Sequence, residues 1–307
     1  MIRAAISAAF LLVLFAASDA PQFDDWSAPV NMGPVVNSPY TDSCVCVSKN
    51  GLSLYFFSNR YALNSSAAWH LYVSQRYSVD APWGEPQEIV GFNDGYNASC
   101  PALSPDEHRL FFVTSRPGGQ GGTDIWVSRR HDRRDDLGWG PPVVLGGLPD
   151  GPNSPQNENV PTVFEDDNGN EVIYFTSNRP GGTGGYDIYE SRMGVADTFG
   201  PASLVAELSS AANDYAAVRR DGLEAIIGST RPGGTYPGQL DLWTATREDT
   251  AQPWSEPVVI PILNSPGMDN GRMSFSFDGR ILYFTSDRSG GYGYRDLYMT
   301  TRMKLRW

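Results

Sequence analysis

Carboxylates recur at one kind of place in this chain. Asn37-Ser38-Pro39-Tyr40-Thr41-Asp42, Asn153-Ser154-Pro155-Gln156-Asn157-Glu158 and Asn264-Ser265-Pro266-Gly267-Met268-Asp269 repeat an Asn-Ser-Pro motif ending in an acid, and residues 93–98 and 209–214 are diverged copies. Counting from the asparagine aligns Asp42, Ala98, Glu158, Asp214 and Asp269; counting back from the downstream turn moves the last two places to Asn213 and Asn270. Carboxylates crowded together repel one another, so they take up protons or recruit a hard cation, for which Ca²⁺ is the natural partner. A protonated acid facing an ionised one across a sugar linkage would instead cleave it, and Asp42, Glu158 and Asp214 or Asp269 are the residues available for that work. The plainer alternative is that each acid accepts hydrogen bonds from its own loop and pins it.

Other residue types recur in step with these acids. Arg60, Arg116, Arg179, Arg231 and Arg288 are followed by Asp124, Asp187, Asp241 and Asp296 in four of the five copies. A bidentate guanidinium–carboxylate pair between them would staple neighbouring strands, a structural role. The first copy departs: residues 61–69 lack the Pro-Gly-Gly of the others and His70 replaces the aspartate, a departure that either a private function or simple drift of an edge blade explains. Tyr40, Trp69, Tyr96 beside Asn97, Tyr186, Tyr236 and Tyr292 fall in the loops, where rings can stack on a sugar or a peptide. Trp26, Trp83, Trp139 and Trp254 each open a short Pro-containing stretch and read as core. Cys44 and Cys100 hold the same place in adjacent copies, and Cys46 makes the count odd. The sequence leaves open a Cys44–Cys100 bridge or two small buried side chains, because the Cα separation decides. No Cys-x-x-Cys pair or histidine cluster suggests zinc, and three histidines give a histidine-based triad little support.

The elements that must position these residues are strands. One phrase occurs five times: Leu54–Arg60, Leu110–Arg116, Ile173–Arg179, Ala225–Arg231 and Ile281–Arg288, the terminal arginines being 56, 63, 52 and 57 residues apart. Around it each period holds three more strand-like runs, separated by Gly, Pro, Asn and Asp, and no segment has a convincing helical period. Asp278-Gly279 and its relatives read as hairpin turns. Four antiparallel strands repeated in this way predict an all-β propeller of five blades. Trp26-Ser27-Ala28-Pro29 is a fourth-strand motif standing before the first copy, and the last copy stops after its third strand. The N-terminal strand is therefore expected to complete the last blade and leave no open edge. A sixth blade would need a further copy of the phrase. If the first strand of each blade runs downward, the second-to-third and fourth-to-first connections share one face, here called the top, so that both loop sets converge there.

The phrases Leu54-Tyr55-Phe56-Phe57-Ser58-Asn59-Arg60, Arg179-Pro180-Gly181-Gly182 and Tyr186-Asp187-Ile188-Tyr189 resemble the WD-repeat-like motifs of TolB-type propellers over essentially the whole of residues 21–307. That resemblance implies an envelope or secreted binding scaffold.

Residues 1–20 have the layout of a secretory signal: Met1-Ile2-Arg3, an apolar run from Ala4 to Ala17, then small residues, with cleavage after Ser18 favoured over Ala20 by the position of Pro21. The apolar run is too short for an anchor, and the expected location is periplasmic or secreted. Residues 21–307 then form a single domain, expected to be monomeric. Hydrophobic residues make up 40% of the 307, enough for a sizeable core, and the net charge of -12 disfavours nucleic acid and anionic lipid. Two readings follow. One is a non-catalytic scaffold that binds a protein or polysaccharide of the cell envelope through its top face, requiring no cofactor unless Ca²⁺ occupies the acidic ring. The other is a glycoside hydrolase-like enzyme using the carboxylates of the central mouth. Repetition of those carboxylates favours binding, since catalytic acids are usually singular.

Overall fold

The computed structural model describes residues 22–60, 69–92, 95–194, 198–266 and 269–305; the expected signal segment lies outside them. β1 (Val30–Asn31) stands alone at the start. Four blades follow in strict order. They comprise β2 (Asp42–Val47), β3 (Ser53–Ser58), β4 (His70–Gln75) and β5 (Gln87–Glu88); β6 (Ala98–Leu103), β7 (Arg109–Thr114), β8 (Asp124–Arg129) and β9 (Val143–Val144); β10 (Glu158–Glu165), β11 (Glu171–Ser177), β12 (Asp187–Arg192) and β13 (Ser203–Leu204); and β14 (Asp214–Val218), β15 (Glu224–Ser229), β16 (Asp241–Thr246) and β17 (Val258–Val259). The fifth blade has β18 (Asn270–Phe275), β19 (Ile281–Ser286) and β20 (Asp296–Thr301), and its outer strand is β1. The architecture is the expected five-bladed propeller.

Ring closure is antiparallel, with Val30 opposite Met299 and Asn31 opposite Tyr298. The amide of Ser27 donates to Thr301 O, that of Met32 to Leu297 O, and that of Leu305 to Gln22 O. Asn37 extends the seam: its side chain accepts from Leu297 N and donates to Leu297 O. The edge of the last blade is thereby covered along most of its length.

The first part of the repeated phrase, such as Leu54–Phe57, is apolar at every position because both faces of its strand are buried. Side chains alternate along a strand, so Tyr55 and Phe57 point into a cluster shared with Leu110 and Phe112 of the second blade, while Leu54 and Phe56 meet Tyr283 and Leu297 of the fifth. Five such clusters fill the five gaps between blades. The tryptophans belong to these gaps, as expected. Trp139 meets Tyr55 edge-on at 6.3 Å, and Trp254 donates from Nε1 to the Tyr174 hydroxyl at 3.2 Å. Each tryptophan also carries an arginine from the end of the third strand on its face: Arg76 on Trp83, Arg130 on Trp139, Arg247 on Trp254 and Arg302 on Trp26, at 4.1–4.4 Å.

Candidate functional site

The top face forms as the strand order requires. The amide of Asp42 donates to Arg295 O, Glu158 to Thr123 O and Asp214 to Tyr186 O, so each glycine-rich loop is bonded to the start of the next blade's innermost strand. The positions at that start are Asp42, Ala98, Glu158, Asp214 and Asn270, opposite Ser58, Thr114, Ser177, Ser229 and Ser286. The two ways of counting disagreed for a physical reason. The innermost strand of blade four lacks the register shift present in the other four, so counting back from its turn slips by one. Blade five has the shift but one extra loop residue, so Asn270 and not Asp269 takes the place.

The acids at these positions are buried in loop-pinning roles. Asp42 accepts from Ser38 N, Ser38 Oγ and Arg60 Nη2, the last at 2.7 Å. Glu158 accepts from Ser154 N, Ser154 Oγ, Ser177 Oγ and Arg179 Nη2, and Asp214 from Ser210 N, Ser210 Oγ, Ser229 Oγ and Arg231 Nη2. Asn270 accepts from Ser286 Oγ and Arg288 Nη2 in the same way. Every part of the Ser-Asn-Arg phrase is thus used. The serine and arginine hold the acid; Asn59 and Asn178 accept the amide just before it, as Asp287 does in blade five; and the arginine's second donor caps a loop carbonyl such as Val36 O or Pro152 O.

This corrects the expected arginine–aspartate staple. Arg60, Arg179 and Arg231 pair with the acid of the innermost strand, and Arg116, whose blade has Ala98 there, donates to Phe92 O. Asp124, Asp187, Asp241 and Asp296 fold the glycine-rich loops instead. Asp187 accepts from Thr183 N and Gly184 N, Asp124 from Gln120 N and Gly121 N, Asp241 from Tyr236 N, and Asp296 from Tyr292 N and Gly293 N. The loop closes so tightly that a Cβ on Gly182 would lie 2.0 Å from Asp187 Oδ2, which accounts for the second glycine of the motif. In the first blade His70 Nδ1 meets Glu88 Oε1 at 2.8 Å, and most of that blade's divergent loop lies outside the described residues.

The candidate carboxylates therefore do not form one cluster. Among the described residues no group of three or more His, Cys, Asp or Glu side chains could hold a metal ion. Asp269, one of the four expected at the mouth, is 44% exposed and approaches Arg295 Nη2 at 3.7 Å. Of the expected stacking rings, Trp69, Tyr96 and Tyr292 are exposed, and Tyr40, Tyr186 and Tyr236 half-buried. Asn97 accepts from Trp69 N and so fixes the tryptophan's backbone.

What lines the axis was missed in the sequence. Third along four of the innermost strands come Cys44, Cys100, Val160 and Arg272, with left-handed φ of 52°, 48°, 48° and 52°; in blade four, whose strand has no register shift, the third residue Ala216 packs instead in the gap between blades three and four. Cys44 and Cys100 are joined as a disulfide across a Cα separation of 4.7 Å. Tyr215 packs on the cluster containing that bridge and Val160, stacks on Tyr186 at 6.2 Å, and carries the Arg272 guanidinium 5.7 Å from its ring centre. Burial, with the neighbouring Arg295, holds the Arg272 pKa below its usual value. One signal could have found this site: four copies place a small or apolar residue at this position and the fifth an arginine.

At the opposite end of the axis lies a cavity of about 100 Å³, bounded by Val45–Val47, Pro101–Pro105 and Met273–Phe277. There Phe277 sits between Lys49 and Arg220, at 4.5 and 4.0 Å.

The chain matches no family model and no curated protein. Among solved structures it is similar to TolB from Acinetobacter baumannii at 13% identity and a TM-score of 0.50, covering 84% of this chain and 54% of that one, so that it spans about half of TolB's length. It is similar to the endo-arabinase from Bacteroides thetaiotaomicron VPI-5482 at 19% identity and a TM-score of 0.58, over 92% and 99% of the two chains. The α-L-arabinofuranosidase PaAbf62A from Podospora anserina, solved with cellotriose, gives 12%, 0.57, and 94% and 99%. At these identities the likeness is one of fold: the chain is a five-bladed β-propeller. No helix among the described residues is long and apolar enough to cross a membrane.

Proposed function

We propose that this chain is an exported, non-catalytic binding scaffold of the WD-repeat-like, TolB type, which takes a protein or polysaccharide of the cell envelope on its top face. The observation that carries the reading is the fate of the repeated acids. Asp42, Glu158 and Asp214 are each fully buried and each matched by its own serines and arginine. Hydrolysis of a glycosidic bond needs two carboxylates facing one another across open space, and these three are spent on folding their loops. The same face keeps Trp69, Tyr96 and Tyr292 exposed, rings of the kind that binding surfaces use. Export agrees with the disulfide, a bond that persists in oxidising compartments. The scaffold acts as a monomer and needs no cofactor.

The test is to probe purified protein against envelope polysaccharides and an envelope protein extract, with Trp69→Ala and Tyr292→Ala as top-face variants and release of reducing sugar as the second readout. Binding lost in the variants, with no sugar released, is the expected result. Turnover of an arabinan or other furanoside polymer that Glu158→Gln abolishes without unfolding the chain would establish the hydrolase reading in its place.

A further inference from the structure

Each recurring arginine of this propeller makes at least one hydrogen bond within the protein. Those of the Ser-Asn-Arg phrase hold a carboxylate, an amide oxygen or a loop carbonyl, and those ending the third strands lie on tryptophan and donate to carbonyls or acids. Arg272 is different. It is half-buried at the axis on a left-handed backbone position and packs against Tyr215, and among the described residues its guanidinium makes no hydrogen bond or ion pair. Arg295 stands near enough to act on it by charge, and the one acid in the group, Asp269, reaches Arg295 only at 3.7 Å while remaining 44% exposed. Two guanidiniums thus share one loosely held carboxylate, in a chain of net charge -12. Its N–H donors have no partner in the protein and are not sealed from solvent, so they are available to an acceptor that enters the mouth.

We propose that the axial mouth formed by Arg272, Arg295, Tyr215 and Tyr186 is a binding site for a carboxylated sugar, a uronate residue. The proposal deepens the binding-scaffold reading and rests on it. The carboxylate is called for by the guanidiniums, whose planar fork matches it in two parallel hydrogen bonds. The sugar ring is called for by the tyrosines. Tyr186 and Tyr215 are stacked and half-buried beside the guanidinium, and a uronate offers in one rigid unit a carboxylate for the arginine and a C–H face for the ring. An aspartate of a peptide carries its carboxylate on a flexible stem with no such face. Binding also relieves the repulsion between Arg272 and Arg295, a gain that a neutral sugar cannot provide.

The experiment titrates the protein with sodium D-glucuronate, with D-glucose, which lacks the carboxylate, and with an acidic peptide, by calorimetry at low and high salt. Glucuronate is expected to bind, more weakly as salt rises, and glucose not to bind. Arg272→Gln should weaken glucuronate binding by about ten- to a hundredfold, the effect of removing a charged hydrogen bond. Arg295→Gln should weaken it less. Because the Arg272 side chain makes no hydrogen bond or ion pair and only packs on Tyr215, its variant should melt close to the wild type, which separates lost binding from lost folding. Equal response to glucuronate and glucose, or glucuronate binding that survives Arg272→Gln, overturns the proposal. So does Arg272-dependent binding of the peptide but not of glucuronate. If a neutral polysaccharide binds through Trp69 and Tyr292 while glucuronate does not bind, the uronate site falls and the scaffold reading stands; if nothing binds the top face, both fall.

Discussion

Arg231 Nη2 meets Asp214 Oδ1 at 2.7 Å within the top of blade four, and the same guanidinium donates to Leu208 O. The acid itself is fully buried, so the pair joins the innermost strand, the second strand and the incoming loop at one point. Its counterparts Arg60–Asp42 and Arg179–Glu158 repeat the joint in two other blades.

Removing one partner should therefore strand a buried charge. Arg179→Ala is expected to lower stability by about 3–5 kcal/mol, the range for breaking a buried pair. Asp187→Asn, which loosens a loop without stranding a charge, should cost on the order of 1 kcal/mol. Urea denaturation of both variants checks the contrast, and equal losses would contradict the assignment of partners.

The calcium expectation has a simple test. With Asp42, Glu158 and Asp214 each bound to its own arginine, the melting temperature should be the same in Ca²⁺ and in chelator, because a ligand stabilises a fold only by binding it. A concentration-dependent rise on adding Ca²⁺ would show a site that these contacts do not account for.

Reduction should matter. The Cys44–Cys100 bridge closes a separation of 56 residues, and loop-closure entropy alone assigns such a cross-link about 4 kcal/mol. Cys44→Ser with Cys100→Ser should lower the denaturation midpoint, and a reductant should lower that of the wild type but not of the double variant.

Alkaline pH should destabilise the protein through buried groups. Burial pushes the Cys46 thiol from 9.0 up to about 12 and the Tyr174 hydroxyl from 10.0 up to about 12, and burial with Asp136 pushes Tyr55 upward as well. All three hold their protons more tightly folded than unfolded. Their contribution is therefore complete below about pH 9 and is lost as the pH climbs from there toward 12, by about 1.4 kcal/mol per pH unit for each group in that window. Denaturation midpoints at pH 8 and 10.5 test the sign. Cys46 should also resist alkylation until the chain unfolds.

Much of the fold was legible because repetition multiplied a weak local signal. A single run such as Leu110 to Thr114 could be a buried helix segment or a strand, but five copies with the same punctuation could not. The orphan Trp26 stretch declared the closure in the same way. The site was less legible. Which acid an arginine meets depends on the side of the strand it leaves from, and Asp187 lies as near in sequence to Arg179 as a partner would. Only the register, with Glu158 opposite Ser177, separates them. The equivalence of Asp214 with Asn270 hung on one bulge and one extra loop residue, details that motif spacing averages away. Arg272 departs from its siblings in the sequence, but nothing in the sequence shows that its position faces the axis, because that depends on the bulge in its strand.

The seam has a consequence for the order of events in the cell. Asn31 lies beside Tyr298 in the finished ring and donates to Asp296, 265 residues away. The first strand of the propeller to be synthesised must therefore wait for the last before it has a partner, and until then its neighbours Trp26 and Met32 have no gap between blades to fill. Ring completion is in this sense an event of the whole chain. Blades one to four can assemble as they emerge, whereas the fifth becomes a blade only when the first and last strands of the propeller find each other. A chain halted before residue 296 would carry four stacked sheets, an unmatched strand at one end and an open edge at the other.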